Sequence, residues 1–440
     1  MAYIPTTDAD RAAMLAALGI DDVEALFASI PRDLRLTRPL DLPPPLGEID
    51  LRRHLTELAA ADQVAQAICF AGAGAYDHYC PAAVDALASR GEFATAYTPY
   101  QPEVSQGTLA VIFEFQTFIA RLTGLDVANA GLYDGASACA EACLMALRAA
   151  KRGTKLLLAG AIHPDTVAVV RTYLEGQEVE IQRVAPADLP AVVDADTAAV
   201  LVQNPDFEGR CLDLTGWSDA IHGHGALLIA CCDPISLALL RPPGAWGCDI
   251  AVGEAQELGN PLAFGGPYLG YLACTQRLVR QLPGRLVGKT VDRRGNPGFV
   301  LTLQAREQHI KRARATSNIC SNQSLLALRA TLYLALIGPH GLAQVAAASQ
   351  TGAARLRAAL TQLAGVAAVN DGPHFKEFTL RLPMAADRFC AAMGERGILA
   401  GVPLSRWHPD RPDDLLVCVT ERRTAADLEA YVTAAWEVLT

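Results

Sequence analysis

The stretch Asp249-Ile-Ala-Val-Gly-Glu-Ala-Gln-Glu-Leu-Gly-Asn-Pro-Leu-Ala-Phe-Gly-Gly-Pro-Tyr-Leu-Gly270 decides how the chain is read. A short apolar run (Ile250 to Val252) meets a polar turn, then Phe264-Gly265-Gly266-Pro267, and a second apolar run from Tyr268 to Ala273 follows. The pattern predicts strand, exposed loop, strand, with glycines where backbone must approach something closely. In an open α/β sheet the loop leaving a strand's carboxyl end is where ligands and chemistry gather. This loop offers only Glu254, Gln256 and Glu257 as reactive side chains, and no lysine occurs between Lys155 and Lys289.

Working outward, strands and helices alternate from 155 to 273. The candidate strands are Lys155–Ala159, Val179–Val184, Ala199–Val202, Ala226–Ala230, Ile250–Val252 and Tyr268–Ala273. Continuous apolar strands separated by helices predict a mostly parallel sheet covered on both faces. Upstream, Leu132-Tyr-Asp-Gly-Ala-Ser137 predicts a strand, a glycine turn and a helix start at Ser137, whose free N–H groups suit a phosphate. An ordinary capped helix explains the same residues. Past Gly338-Pro339 an Ala-rich helix, short strands near 366–369, 378–382 and 415–419, and two further helices predict a compact α+β unit. The first residues predict short helices: Thr7-Asp-Ala-Asp10 resembles a capping box, and Leu51, Leu55 and Leu58 align on one face. The expected division is 1–65 as a helical prefix packing on a partner, 66–338 as the large domain, and 339–440 as the small one.

Composition narrows the function. The chain has 440 residues, a net charge of −10 and a mean hydropathy slightly above zero. That charge argues against a nucleic-acid partner. The apolar run Leu325 to Ile337 is interrupted by Arg329 and stopped by Gly338-Pro339, short of a membrane span. The start Met1-Ala-Tyr-Ile-Pro carries neither a basic region nor an apolar signal core, so a cytoplasmic protein is expected. Twelve cysteines form no C-x-x-C pair and several sit in apolar settings, which predicts structural thiols. His222-Gly-His224 lacks further ligands at metal-binding spacing, so no metal is expected. Between Arg280 and Arg314 nine basic residues face only Asp292 and Glu307, a local patch of steering charge or simply a solvated face.

Several motifs in chain order resemble the P-protein family of the glycine cleavage system: Gly72-Ala-Gly-Ala-Tyr-Asp-His-Tyr79, Ala96-Tyr-Thr-Pro-Tyr-Gln-Pro-Glu-Val-Ser-Gln-Gly107, Tyr133-Asp-Gly-Ala-Ser137, Phe264-Gly-Gly-Pro-Tyr268, Pro283-Gly-Arg-Leu-Val-Gly288, Arg306-Glu-Gln-His-Ile310 and Ala315-Thr-Ser-Asn-Ile-Cys320. The resemblance covers nearly the whole chain, at the length of the first of two separate subunits. It implies a fold-type I pyridoxal-phosphate transferase-like α/β domain with a small C-terminal α+β domain. It further implies glycine decarboxylation, with transfer of the aminomethyl group to the lipoyl arm of H-protein.

A fold-type I enzyme carries its cofactor on a lysine imine in the loop described first. That lysine's place falls at Gln256, give or take one residue, and an amide cannot form the imine. The aspartate expected against the pyridinium nitrogen is displaced too, since Cys231-Cys232 precede Asp233. The resemblance therefore implies that pyridoxal phosphate is bound by a second, partner subunit. Tyr97, Tyr100, Gln101 and Glu103 are the residues expected to enter the partner's site, capping of the following helix being the plainer alternative. Tyr76, Asp77 and His78 rank below them, since local turn hydrogen bonds explain them as well. Thr316 and Asn318 are candidates for the partner's phosphate, or helix caps. Arg285, Lys289, Arg293 and Arg294 are candidates for docking H-protein. The rivals are a self-sufficient enzyme using Lys289 or Lys311, a pure scaffold, and a nicotinamide dehydrogenase, which the lack of a G-x-G-x-x-G after a strand disfavours.

Overall fold

The computed structural model describes residues 5–62, 64–150 and 153–440. Residues 1–4 and 63 of the expected prefix lie outside the described residues. The chain divides into two units, residues 1–62 and 63–440.

In the first unit, Asp8–Leu18 is a helix because Thr7 and Asp10 cap it reciprocally. The Asp10 N–H donates to Thr7 Oγ1 at 3.2 Å and the Thr7 N–H to the Asp10 carboxylate at 2.9 Å. Gly19, with φ 67°, ends it in the left-handed conformation that glycine adopts without a Cβ clash. Asp22 caps a 3₁₀ turn over Val23–Phe27. Helix Glu48–Ala60 carries Asp50 in its first turn.

The second unit is built on a seven-stranded sheet: β1 (Val127–Ala128), β2 (Lys155–Ala159), β3 (Glu180–Val184), β4 (Thr197–Gln203), β5 (Leu227–Cys231), β6 (Ile250–Glu254) and β7 (Gly270–Cys274). Their spatial order is β1-β7-β6-β5-β4-β2-β3. Strands β2 to β6 run parallel, and β7 lies antiparallel to both β6 and β1. Alternate residues feed opposite faces, as the period of two requires. Leu156, Leu158, Leu201, Ile229 and Val252 enter one core with helix Gly135–Ala149. Leu157, Val200, Val202 and Leu228 enter the core on the other side. Leu132, expected in a strand, makes a single bridge to Gly270, and the edge strand β1 lies earlier.

Helix Ser324–Leu360 is broken at Gly338, whose φ of 59° and ψ of −175° interrupt the helical path just before Pro339. By length and apolar composition it could cross a membrane, but Ala327, Leu328, Ala330 and Tyr333 are buried inside this unit. Beyond it, Ala367–Ala368, Glu377–Arg381, Asp414–Cys418 and Val402–Pro403 form an antiparallel sheet. Helices Ala386–Gly394 and Ala425–Leu439 share a core with this sheet. The chain enters this layer early. Ile68 and Cys69 pair in parallel with Ile398 and Leu399, and Phe70 sits edge-on to Tyr431 with ring centroids 4.7 Å apart. Strands Leu286–Val291 and Pro297–Thr302 make an antiparallel hairpin, and Lys289 lies in the first of them.

Candidate functional site

The carboxyl ends of β5 and β6 face the start of helix Gly135–Ala149 around a cavity of about 320 Å³. Several parts that such a crevice uses for a ligand are here engaged by other side chains of the same chain. At the helix start, Asp134 caps the Ser137 N–H at 2.7 Å. Glu254, at the end of β6, accepts the Gly135 N–H at 2.9 Å. Its other oxygen accepts the N–H groups of Gln256 and Leu269, both at 2.9 Å. Burial pushes the Glu254 carboxyl up to about 8, against the pull of these three N–H donors. Position 135 has to be glycine, because a Cβ there would come within 2.8 Å of the Glu254 nitrogen. The place at this helix start where an anion would sit is thus taken by the Glu254 carboxyl group.

Gln256 is buried and fully occupied. Its amide nitrogen donates to the Asn260 carbonyl at 2.6 Å and the Tyr76 carbonyl at 3.2 Å, and its oxygen accepts the Tyr76 N–H at 3.0 Å. The amide is a brace between two loops.

The cavity does contain a lysine, one that the sequence reading missed. Lys376, just before strand Glu377–Arg381, is 1 % exposed, and its Nζ lies 2.6 Å from Asp233 Oδ2. It also pairs with Glu257, sits 3.2 Å from His78 Nε2, and lies 3.4 Å from the centre of the Tyr76 ring. Burial pushes its pKa down, but the Asp233 and Glu257 carboxylates outweigh burial and hold it above the usual lysine range. A fully protonated amine has no lone pair with which to form an imine. Burial and the neighbouring Glu257 raise Asp233 to about 7. Burial also raises Glu257, yet Lys376 and His78 outweigh it and keep that carboxylate ionised.

The residues present therefore do not fit pyridoxal phosphate: the helix start holds Glu254, the loop amide cannot form an imine, and Asp233 serves Lys376. One signal of Lys376 was available in sequence, a Lys-Glu pair opening the otherwise apolar strand Lys376-Glu-Phe-Thr-Leu380.

Tyr76, Asp77 and His78, ranked low because local turns explained them, make long-range bonds instead. The Tyr76 hydroxyl donates to Glu377 at 2.8 Å, Asp77 pairs with Arg422 and Arg423, and His78 Nδ1 lies 2.5 Å from Glu421. Tyr97, Tyr100, Gln101 and Glu103 do not reach this cavity and are all exposed. The Tyr97 hydroxyl is 3.2 Å from Ser321 Oγ, and the Tyr100 ring meets the His309 ring edge-on at 5.3 Å. Thr316 and Asn318 lie in a different cleft, beside Glu141 and Arg148, and neither caps the helix that begins at Ser324.

Arg285 needs correcting as a docking residue. It is 2 % exposed, donates to Asn322 at 3.2 Å and faces Glu307 at 3.7 Å, so its charge is spent inside the protein. Lys289, Arg293 and Arg294 are exposed on the hairpin. His222 ends helix Trp217–His222 and bonds Asp249 at 2.8 Å, and among the described residues no His/Cys/Asp/Glu cluster is placed to hold a metal.

Known proteins bear on this geometry. The family profile described as glycine cleavage system P-protein matches residues 1–434. A probable glycine dehydrogenase (decarboxylating) subunit 1 from Desulforamulus reducens is 48 % identical over 437 residues, covering 98 % of both chains. A crystal structure of glycine decarboxylase (P-protein) of the glycine cleavage system, in inhibitor-bound form, superposes with a TM-score of 0.87 at 44 % identity, covering 100 % of both chains. Lactobacillus brevis glutamate decarboxylase matches with a TM-score of 0.68 at 12 % identity over 94 % of this chain and 97 % of its own, a likeness of fold alone. The sheet is that of the fold-type I pyridoxal-phosphate enzymes, and on the full-length match the chain belongs to the glycine cleavage system P-protein family.

Proposed function

We propose that this chain is the subunit of glycine decarboxylase that does not anchor pyridoxal phosphate. It works with a second subunit that binds the cofactor. Together they decarboxylate glycine and pass the aminomethyl group to the lipoyl arm of H-protein. One observation carries the reading: Lys376, among the described residues the one lysine lining the cavity, is clamped between Asp233 and Glu257, while Gln256 stands in the loop where an anchoring lysine belongs. The naming of the similar proteins as a subunit 1 supports the existence of a second subunit.

In this assembly the exposed loop holding Tyr97, Tyr100, Gln101 and Glu103 reaches the partner's active site. Proline at 99 and 102 stiffens it, which lowers the entropy lost on docking. The exposed Lys289, Arg293 and Arg294 face the approaching H-protein. The complex is cytoplasmic.

The test is co-expression with the second subunit. Glycine–carbon dioxide exchange is expected from the two chains together and from neither alone. Exchange by this chain alone, or a borohydride-reducible pyridoxal adduct on any of its lysines, would overturn the assignment.

A further inference from the structure

The loop between β6 and β7 carries an aromatic side chain that the rest of the chain leaves uncovered. Phe264 is 107 % exposed, completely open to solvent, and Leu262 two residues before it is exposed as well. Among the described residues the Phe264 ring joins no hydrophobic core. Its backbone φ of 49° is left-handed, which a bulky L-residue adopts only under strain. Exposure of the ring forfeits its hydrophobic burial besides. The lone chain thus bears two costs at one residue, and a glycine, as at 265 and 266, would avoid both.

The base of the loop, by contrast, is tied down. Gln256 Nε2 donates to the Asn260 carbonyl at 2.6 Å, Asn260 Nδ2 to the Leu326 carbonyl at 3.4 Å, and Arg329 Nε to the Gly259 carbonyl at 3.1 Å. The Tyr97 loop is fixed to the same stretch, through Ser321 just before helix Ser324–Leu360. Two loops with exposed aromatic side chains are therefore rooted on residues 321–329. At about 200 Å² for a whole aromatic side chain, Phe264, Tyr97 and Tyr100 offer on the order of 450 Å². That is more than half of the about 800 Å² that each partner gives to an interface of standard size.

We propose, resting on the two-subunit reading above, that Phe264 is a docking anchor whose ring inserts into an apolar pocket of the second subunit, in the same interface as the Tyr97 loop. Burial there returns the free energy that the exposed, strained residue costs the lone chain. The fixed base lowers the entropy lost on docking, and an aromatic ring in a closed pocket is a common form of interface hot spot. A second copy of this chain is the alternative occupant.

The test compares the purified full chain with Phe264→Gly for association with the purified second subunit, read by biolayer interferometry. Glycine removes the ring and suits the left-handed backbone, so the lone variant should melt at an unchanged or higher temperature. The Kd for the second subunit should rise about tenfold or more. In the unsubstituted chain, hydrogen exchange of the amides at 262–266 should slow when the second subunit is added. A Kd within about twofold of the natural chain's, unslowed exchange, or a lower melting temperature of the lone variant overturns the proposal. Self-association of the lone chain that is lost with the ring would assign Phe264 to a second copy and overturn it too. No association by the natural chain would sink the two-subunit reading and the anchor together, whereas equal association by both chains sinks the anchor alone.

Discussion

Lys376 Nζ lies 2.6 Å from Asp233 Oδ2, a contact between the start of a C-terminal strand and the residue that follows β5 by two positions. With Glu257 on the same ammonium, two acids share one amine where a fold-type I enzyme would receive its cofactor. The amine and both acids are thus engaged with one another inside the protein.

Removing the amine strands both acids. Lys376→Met leaves Asp233 without its counter-charge and Glu257 with His78 alone, and losing one partner of a buried ion pair typically costs about 3–5 kcal/mol. Calorimetry of the full chain should show unfolding at a clearly lower temperature. An unchanged transition would mean that the pair is not buried as described.

Restoring a lysine in the loop is not sufficient. Gln256→Lys loses the bonds to Tyr76 and Asn260 and still meets Glu254 on the Gly135 N–H. With added pyridoxal phosphate this variant should show no aldimine absorbance, whereas a visible band would show that Glu254 yields its place.

His78 gives stability a dependence on pH. Burial and the Lys376 ammonium push its imidazole down, but hydrogen bonds to Glu257 and Glu421 outweigh them and the net shift is upward. Its stabilisation is therefore fully present below the ordinary imidazole value of about 6.5 and is lost as pH rises through the raised folded value. The gap in unfolding temperature between the natural chain and His78→Gln should narrow from pH 6 towards pH 9. A constant gap would mean that His78 keeps one protonation state throughout.

The tyrosine loop is tested in the assembled enzyme. Tyr97→Ala and Tyr100→Ala should leave assembly with the second subunit intact, as read by size-exclusion chromatography. Glycine turnover should fall by about tenfold or more, as expected when groups shaping a site are lost. Assembly and turnover both retained would make the chain a scaffold only.

The basic segment splits into two behaviours. Reversing Lys289, Arg293 and Arg294 to glutamate should raise KM for H-protein, most at low salt, without altering the lone chain's thermal stability. Arg285→Ala should do the opposite, since its partners Asn322 and Glu307 are internal. Equal effects on KM from all four would argue against burial of Arg285.

The strands were legible because both faces of the sheet are buried, so Leu156 to Ala159 and Val200 to Val202 read as unbroken apolar runs bounded by turns. That the loop after β6 holds no lysine was legible from local order, since its residues follow the strand directly. The buried charge cluster beside that loop was not. Lys376 lies 119 residues from Glu257, and only folding brings the two together. Arg285 looked like part of a basic surface because charge runs are usually solvated, and nothing in its neighbours marked the Glu307 facing it. Helix Gly135–Ala149 begins two residues before Ser137 because Asp134, not the serine, is the cap.

The bonds around Lys376 also join distant parts of the second unit. Thr420 donates to the Asp77 carbonyl, Arg423 holds the Asp77 carboxylate, and Glu377 accepts from Tyr76 and Ala73. The segment 73–78 is in this way stitched to the C-terminal sheet and the turn after it. A catalytic cleft that must admit substrate and release product needs play at such a seam. Here opening it would separate several charged pairs at once, so this half of the enzyme is suited to be a fixed wall against which its companion does the moving.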